Sequence, residues 1–132
     1  MALRSNELMI GDWVYAVDDN TDFIIPIKVN GINSIRSINA VIPDYNGRRV
    51  DGDIAIECCE PIPLTSEILE KNGFEEFDGW RILDMDDIEI RWIGTILEIS
   101  GSHGNMELPN VKYVHELQHA LRLCGTEKEI EL

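Results

Sequence analysis

The chain has 132 residues, 25 acids against 11 Lys plus Arg, and a formal charge of −14. That length suits one domain, or two small lobes, with enough apolar surface to fold without disulfides or a structural metal. The charge splits as −5 over residues 1–60 and −9 over 61–132, so both halves repel phosphate and direct nucleic-acid binding, which starts from a basic stripe, is not expected.

Residues 8–60 are written in strand vocabulary. Leu8 to Val17 is β-rich, Asp18-Asp19-Asn20-Thr21-Asp22 is a polar turn cluster, and Phe23 to Val29 is a second strand in which Pro26 marks an edge or bulge. Asn30-Gly31 predicts a type I′ hairpin turn, followed by alternation from Ile32 to Ile42, a turn at 43–47, and strand again from Asp53 to Glu57. Four or five short strands with tight turns predict an SH3-like small β-barrel or curled sheet over residues 1–60.

Glu60-Pro61-Ile62-Pro63 is a stiff connector into residues 61–132, an α+β lobe expected to pack with the first. Thr65 is the expected N-cap of a first helix, Glu67 sits in its first turn and Gly73 ends it. Trp80 to Leu83, Ile88 to Ile93 and Thr95 to Ile99 read as antiparallel strands, with the acids between Glu75 and Glu89 at turns and on the wet face. A loop through residues 101–105 leads to Met106-Glu107-Leu108. Asn110 is the expected cap of a second, amphipathic helix from about Val111 to Cys124, packed on that sheet and closed by Gly125; residues 130–132 are a candidate last strand. The fold class predicted is α+β.

Cys58, Cys59 and Cys124 form no C-x-x-C pair and cannot all be bridged within one chain, which suits a reducing compartment. Neighbours on a strand point to opposite faces, so one of Cys58 and Cys59 is expected buried and the other exposed. No signal-like N-terminal run and no apolar stretch of about 18 residues is present, and a cytoplasmic protein without membrane contact is expected.

His115-Glu116-Leu117-Gln118-His119 matches H-E-x-x-H, in which two histidines one helical turn apart hold zinc and the glutamate activates water. On a helical projection Tyr113, Val114, Leu117, Ala120, Leu121 and Cys124 share an apolar sector, and His115 and His119 fall near the middle of the opposite one. A catalytic zinc needs a third ligand. Arg122 and Gly125 stand where a metzincin continuation needs Gly and His, only thirteen residues follow His119, and His103 is the best remaining candidate. The bland reading is two surface histidines on a solvated face, flanked by Lys112 and Arg122. With three His and fourteen Glu, chance alone yields the pattern in about one such chain in a hundred. Asp18 to Asp22 and Asp84 to Asp87 lack the glycine and terminal glutamate of a calcium loop, the 75–89 carboxylates lack an accompanying nucleophile, and Ser102-His103 lacks a nucleophile elbow.

Pro61 to Leu69 and Val111 to Gly125, together with Ile10-Gly11-Asp12-Trp13-Val14, resemble a family of small uncharacterised proteins of Bacteroides-type genomes and their prophages. The resemblance covers nearly the whole chain. It implies a bacterial or phage origin and no established activity, and it implies that position 116 is often glutamine and position 119 need not be histidine. The leading functional expectation is a non-enzymatic, acidic interaction or accessory protein whose partner offers a basic surface. The alternatives are a DNA mimic that inhibits a nucleic-acid enzyme, with acids in a duplex-like double row, and a zinc hydrolase using His115, Glu116, His119 and His103.

Overall fold

Alternation of apolar and polar residues between Trp13 and Ala55 gives each strand one face to bury, and hairpin connections set the faces in register. A computed structural model describes residues 3, 7–18, 23–45, 48–85, 88–101, 104–125 and 128–132. The chain divides into two compact units: residues 1–63 with 113–129, and residues 64–112 with 130–132.

The first unit holds β1 (Trp13–Asp18), β2 (Phe23–Ile32), β3 (Ser37–Tyr45), β4 (Arg48–Ala55) and, after a 3-10 turn at Ile56–Cys58, β5 (Cys59–Pro61). The antiparallel sheet runs β4-β3-β2-β1-β5. Among the described residues it does not close, and β4 and β5 are its edges; of the barrel or curled sheet that the sequence suggested, no closed barrel is seen. Register sets Val14 opposite Ile27, Val29 opposite Ala40 and Ile38 opposite Ile54. Val14, Ile27, Val29, Ile38 and Ala40 are all buried, joined by Leu3, Leu8 and Cys59. Each large apolar side chain removed from water there contributes about 1.5–3 kcal/mol.

The hairpin expected at Asn30-Gly31 does not form. Both residues lie inside β2, where the register against β3 shifts between Val29 and Gly31, and the reversal comes later. There the Asn33 and Ser34 amides donate to the Ser37 carbonyl, and Ser34 Oγ accepts from the Arg36 amide. The residue left over at the shift is Asn30, while Gly31 stays paired with Asn39, so the pair that could have made the turn is taken into the strand. Pro26 behaves as expected: it pairs with Tyr15, and the described β2–β3 ladder starts only at Lys28, so its missing N–H faces a locally single-sided strand.

In the second unit Thr65 Oγ1 accepts from the Ile68 amide at 3.3 Å and opens α1 (Ser66–Lys71). Gly73 follows at φ 92°. The strands β6 (Glu75–Phe77), β7 (Trp80–Met85), β8 (Ile88–Ile93), β9 (Ile96–Gly101) and β10 (Gly104–Leu108) form an antiparallel meander in sequence order. Asp78 and Gly79, at φ 54° and 84°, make a two-residue turn between β6 and β7. The segment 130–132 makes no strand. Asn72 instead brackets the Glu131 backbone, accepting from its amide at 2.7 Å and donating to its carbonyl at 2.8 Å, and Ile130 is buried.

The last helix, α2 (Val114–Leu123), belongs to the first unit and not to the second sheet on which it was expected to pack. It begins later than Asn110, which adopts φ 64°. Tyr113 is the N-cap residue, and its amide donates to Glu116 Oε1 at 3.0 Å. Among the described residues no helix is long and apolar enough to cross a membrane.

Candidate functional site

Val114, Leu117, Ala120 and Leu121 are buried, as their spacing dictates. The buried sector is wider than the apolar one, however, and takes in His115 and Gln118. His115 was expected on the wet face and is only 4% exposed; the His119 side chain retains 26%. The physical reason lies in two segments that cover this flank of α2. The turn before β1 brings Asp12 to His119 and Arg122, and Gln118 Nε2 donates to the Lys128 carbonyl at 3.0 Å, folding the tail over the helix.

Asp12 is fully buried. Its carboxylate accepts from the Met9 amide at 2.7 Å and from Arg122 Nη1 at 2.9 Å, and His119 Nε2 lies 2.6 Å from Oδ2. Its own amide donates to the Met9 carbonyl, closing the turn. Gly11, at φ 94°, lets the backbone pass close to Arg122: a Cβ there would stand 2.7 Å from Nη2. Sequence reasoning missed Asp12 because one aspartate in Gly-Asp-Trp carries no motif. The available signal was on the helix, where His119 and Arg122, three residues apart, offer donors on one side and call for an acid.

The His115 ring stacks on Tyr113, with centroids 5.9 Å apart and planes 10° apart, and meets His119 edge-on at 5.6 Å. Its Nδ1 has no hydrogen-bond partner among the described residues. Burial pushes the imidazole pKa below its ordinary value, against the pull of Asp12.

The structure thus brings His115 and His119 together and sets Glu116 to capping the start of the helix, a carboxylate in the positive first turn. His119 Nε2, the atom that would take a metal, faces Asp12. His103 lies outside the described residues, as do Ser102, residues 19–22 of the first acidic turn, and Asp86 and Asp87 of the second. Among the described residues no three His, Cys, Asp or Glu side chains are grouped to hold a metal ion. Cys58 is exposed and Cys59 buried, the expected contrast, but Cys58 ends the 3-10 turn and only Cys59 lies on a strand, so alternation along one strand is not its cause. Burial, reinforced by Cys58, pushes the Cys59 thiol up to about 11.

Two surfaces stand out among the described residues. The first is a groove of about 570 Å³ on the outward side of the first sheet, walled by Ile10, Trp13 and Val41, with Lys28, Arg49 and Glu129 at its polar end. Lys28 Nζ sits 5.8 Å from the Trp13 ring centroid and 3.1 Å from Glu129 Oε2.

The second is the outward face of the β6–β10 meander. Register aligns Glu75, Ile82, Arg91, Glu98 and Glu107 in one cross-strand row, and Asp84, Glu89, Ser100 and Asn105 in the next. Five carboxylates therefore share this face with one guanidinium, whose pKa is held above its ordinary value first by the hydrogen bond it donates to Glu89, then by the charge of Glu89, with Glu98 and Asp84 adding to it. At the hairpin end of the same face, Phe77 pairs with Trp80 and Ile93 with Ile96. Phe77 is 69% and Ile96 38% exposed. A Cβ on Gly79 would lie 3.7 Å from Ile93 Cδ1, so these apolar residues adjoin. The opposite face carries Ile90, Leu97 and Ile99, all buried. No protein-family model, no curated protein and no solved structure matches the chain.

Proposed function

We propose that this chain is a non-enzymatic interaction module of bacterial or phage mobile-element origin, binding a protein partner through the outward face of its β6–β10 sheet. The observation that carries the reading is the composition of that face: Glu75, Asp84, Glu89, Glu98 and Glu107 around Arg91, beside the strip Phe77, Trp80, Ile93 and Ile96. Exposed aromatic and aliphatic side chains supply the buried anchor of an interface, and a field of one sign selects a partner of the other and speeds encounter. The partner it fits has a basic surface with apolar anchors.

The acids stand in two short rows, broken by Ile82 and Arg91 in one and by Ser100 and Asn105 in the other. Duplex DNA carries one charge per about 1.7 Å of its axis without interruption, so this spacing favours a basic protein surface over a duplex mimic. For the first unit, the order β4-β3-β2-β1-β5 and the 3-10 turn between β4 and β5 support reading its curled sheet as SH3-like.

The test is charge reversal with a matched control. A synthetic peptide alternating Lys and Phe serves as the probe, and fluorescence anisotropy reads its affinity. Glu98→Lys with Glu107→Lys is expected to weaken binding at least about tenfold, and Asp51→Lys with Glu60→Lys, an equal change of net charge on the first unit, by less than about twofold. Equal losses from the two pairs would reduce the effect to net charge and overturn the reading.

A further inference from the structure

We infer that the groove beside Trp13 is a binding site for a small aromatic or aliphatic carboxylic acid, and that Glu129 occupies its carboxylate position when no ligand is bound. The cavity, about 570 Å³, lies in the range that holds small organic ligands. Its walls are apolar: Val41 is buried, and Ile10 is 65% exposed, a large aliphatic side chain left at the mouth of the groove.

Its polar end holds two bases against one lining acid, Glu129, in a chain of charge −14. Lys28 and Arg49 both line it. Arg49 approaches Asp51 only at 3.5 Å and keeps 70% of its side chain exposed, so its donors are available to a ligand. Lys28 is the better-placed base, because the Trp13 ring beneath it and its position opposite Trp13 on β2 fix where its ammonium sits.

Glu129 shows what that ammonium takes. Its Oε2 lies 3.1 Å from Lys28 Nζ, its side chain is 59% exposed, and it reaches the groove from the segment after α2 and not from the sheet. An exposed carboxylate from outside the sheet, seated on the lysine that lines an apolar groove, is an internal stand-in for a ligand carboxylate. A bound acid would exchange for Glu129 at Lys28 and lay its apolar body along Trp13, Val41 and Ile10. No bond is made or broken, and no group beyond the two carboxylates changes place.

The probe is 3-phenylpropionate, with 3-phenylpropanamide as its uncharged twin, titrated into the 15N-labelled full chain. The chain has three tryptophans, and Trp13→Phe assigns the relevant indole N–H signal. The acid is expected to shift the Trp13 signal and leave those of Trp80 and Trp92 in place, while the amide binds at least about tenfold more weakly. Lys28→Met should weaken the acid by about tenfold, and Glu129→Gln should tighten it roughly two- to fivefold, the strength of the exposed ion pair it removes. A Trp13 signal unmoved at tens of millimolar acid, equal binding of acid and amide, or a Glu129→Gln affinity no better than wild type would each overturn the inference.

Discussion

Asp12→Ala removes a carboxylate that no solvent reaches and that ties the turn before β1 to α2 through Met9, His119 and Arg122. Deleting one partner of a fully buried charge pair costs about 3–5 kcal/mol, because the other charge is left without compensation. Here the other partners are less confined: the His119 and Arg122 side chains retain 26% and 24% exposure and can rehydrate. The Met9 amide is left to find water. Together these lower the expected loss to about 2–4 kcal/mol, or roughly 8–16 °C in Tm for a chain of this size. Urea unfolding by circular dichroism measures it, with amide exchange along α2 as the local readout, since two compact units need not unfold in one step. Asp12→Asn, which keeps shape and loses charge, should fall between wild type and alanine. Asp51→Ala, whose side chain is 58% exposed and meets Arg49 only at 3.5 Å, should cost under about 0.5 kcal/mol. An Asp12→Ala loss below about 1 kcal/mol, or unchanged exchange in α2, would refute the view that this carboxylate holds the helix.

Three further expectations follow from buried polar groups. His115 titrates below its ordinary value of 6.5 when folded, so below that pH the unfolded chain binds more protons and stability falls as the pH drops; urea midpoints at pH 7.5 and 5.5 should differ more in wild type than in His115→Gln, and equal differences would count against the burial argument. Asn72→Ala removes both hydrogen bonds to the Glu131 backbone and one to the Ile68 carbonyl. A loss of about 1–3 kcal/mol is expected, with faster exchange at the Glu131 amide. Cys58 should react with iodoacetamide well before Cys59, which is buried and whose thiol is pushed up to about 11; peptide mass mapping over time decides it, and labelling of Cys59 first would contradict the strand placement.

Much of the architecture was legible in the residues where local chemistry had no competitor. Thr65 caps α1, β8 runs over Ile88–Ile93 as read, and Val114, Leu117 and Leu121 face a core. Two of the Asx-Gly pairs show where local signals stop deciding. Asn30-Gly31 has the composition of a tight turn but sits inside β2, with Asn30 skipped in the register and Gly31 paired to Asn39, whereas Asp78-Gly79 makes the two-residue turn with φ 54° and 84°. Neighbouring strand pairing, set by burial over the whole sheet, overrode the first pair and agreed with the second. The helix histidines were misplaced for a similar reason. Helical periodicity ranks faces by hydropathy, and His115 is buried by a turn about a hundred residues earlier that the helix sequence does not encode. Asp12 was invisible for lack of a motif.

The central claim is that the protein partner binds on one sheet face, the outward side of β6–β10. Titrating the alternating Lys and Phe peptide into the 15N-labelled chain and mapping amide shifts residue by residue tests it most directly. The account predicts the largest shifts at Trp80, Ile82, Arg91, Ile93, Ile96, Glu98 and Glu107, weakening with salt and lost in the Glu98→Lys and Glu107→Lys pair. Shifts of equal size across the acids of both units would contradict it.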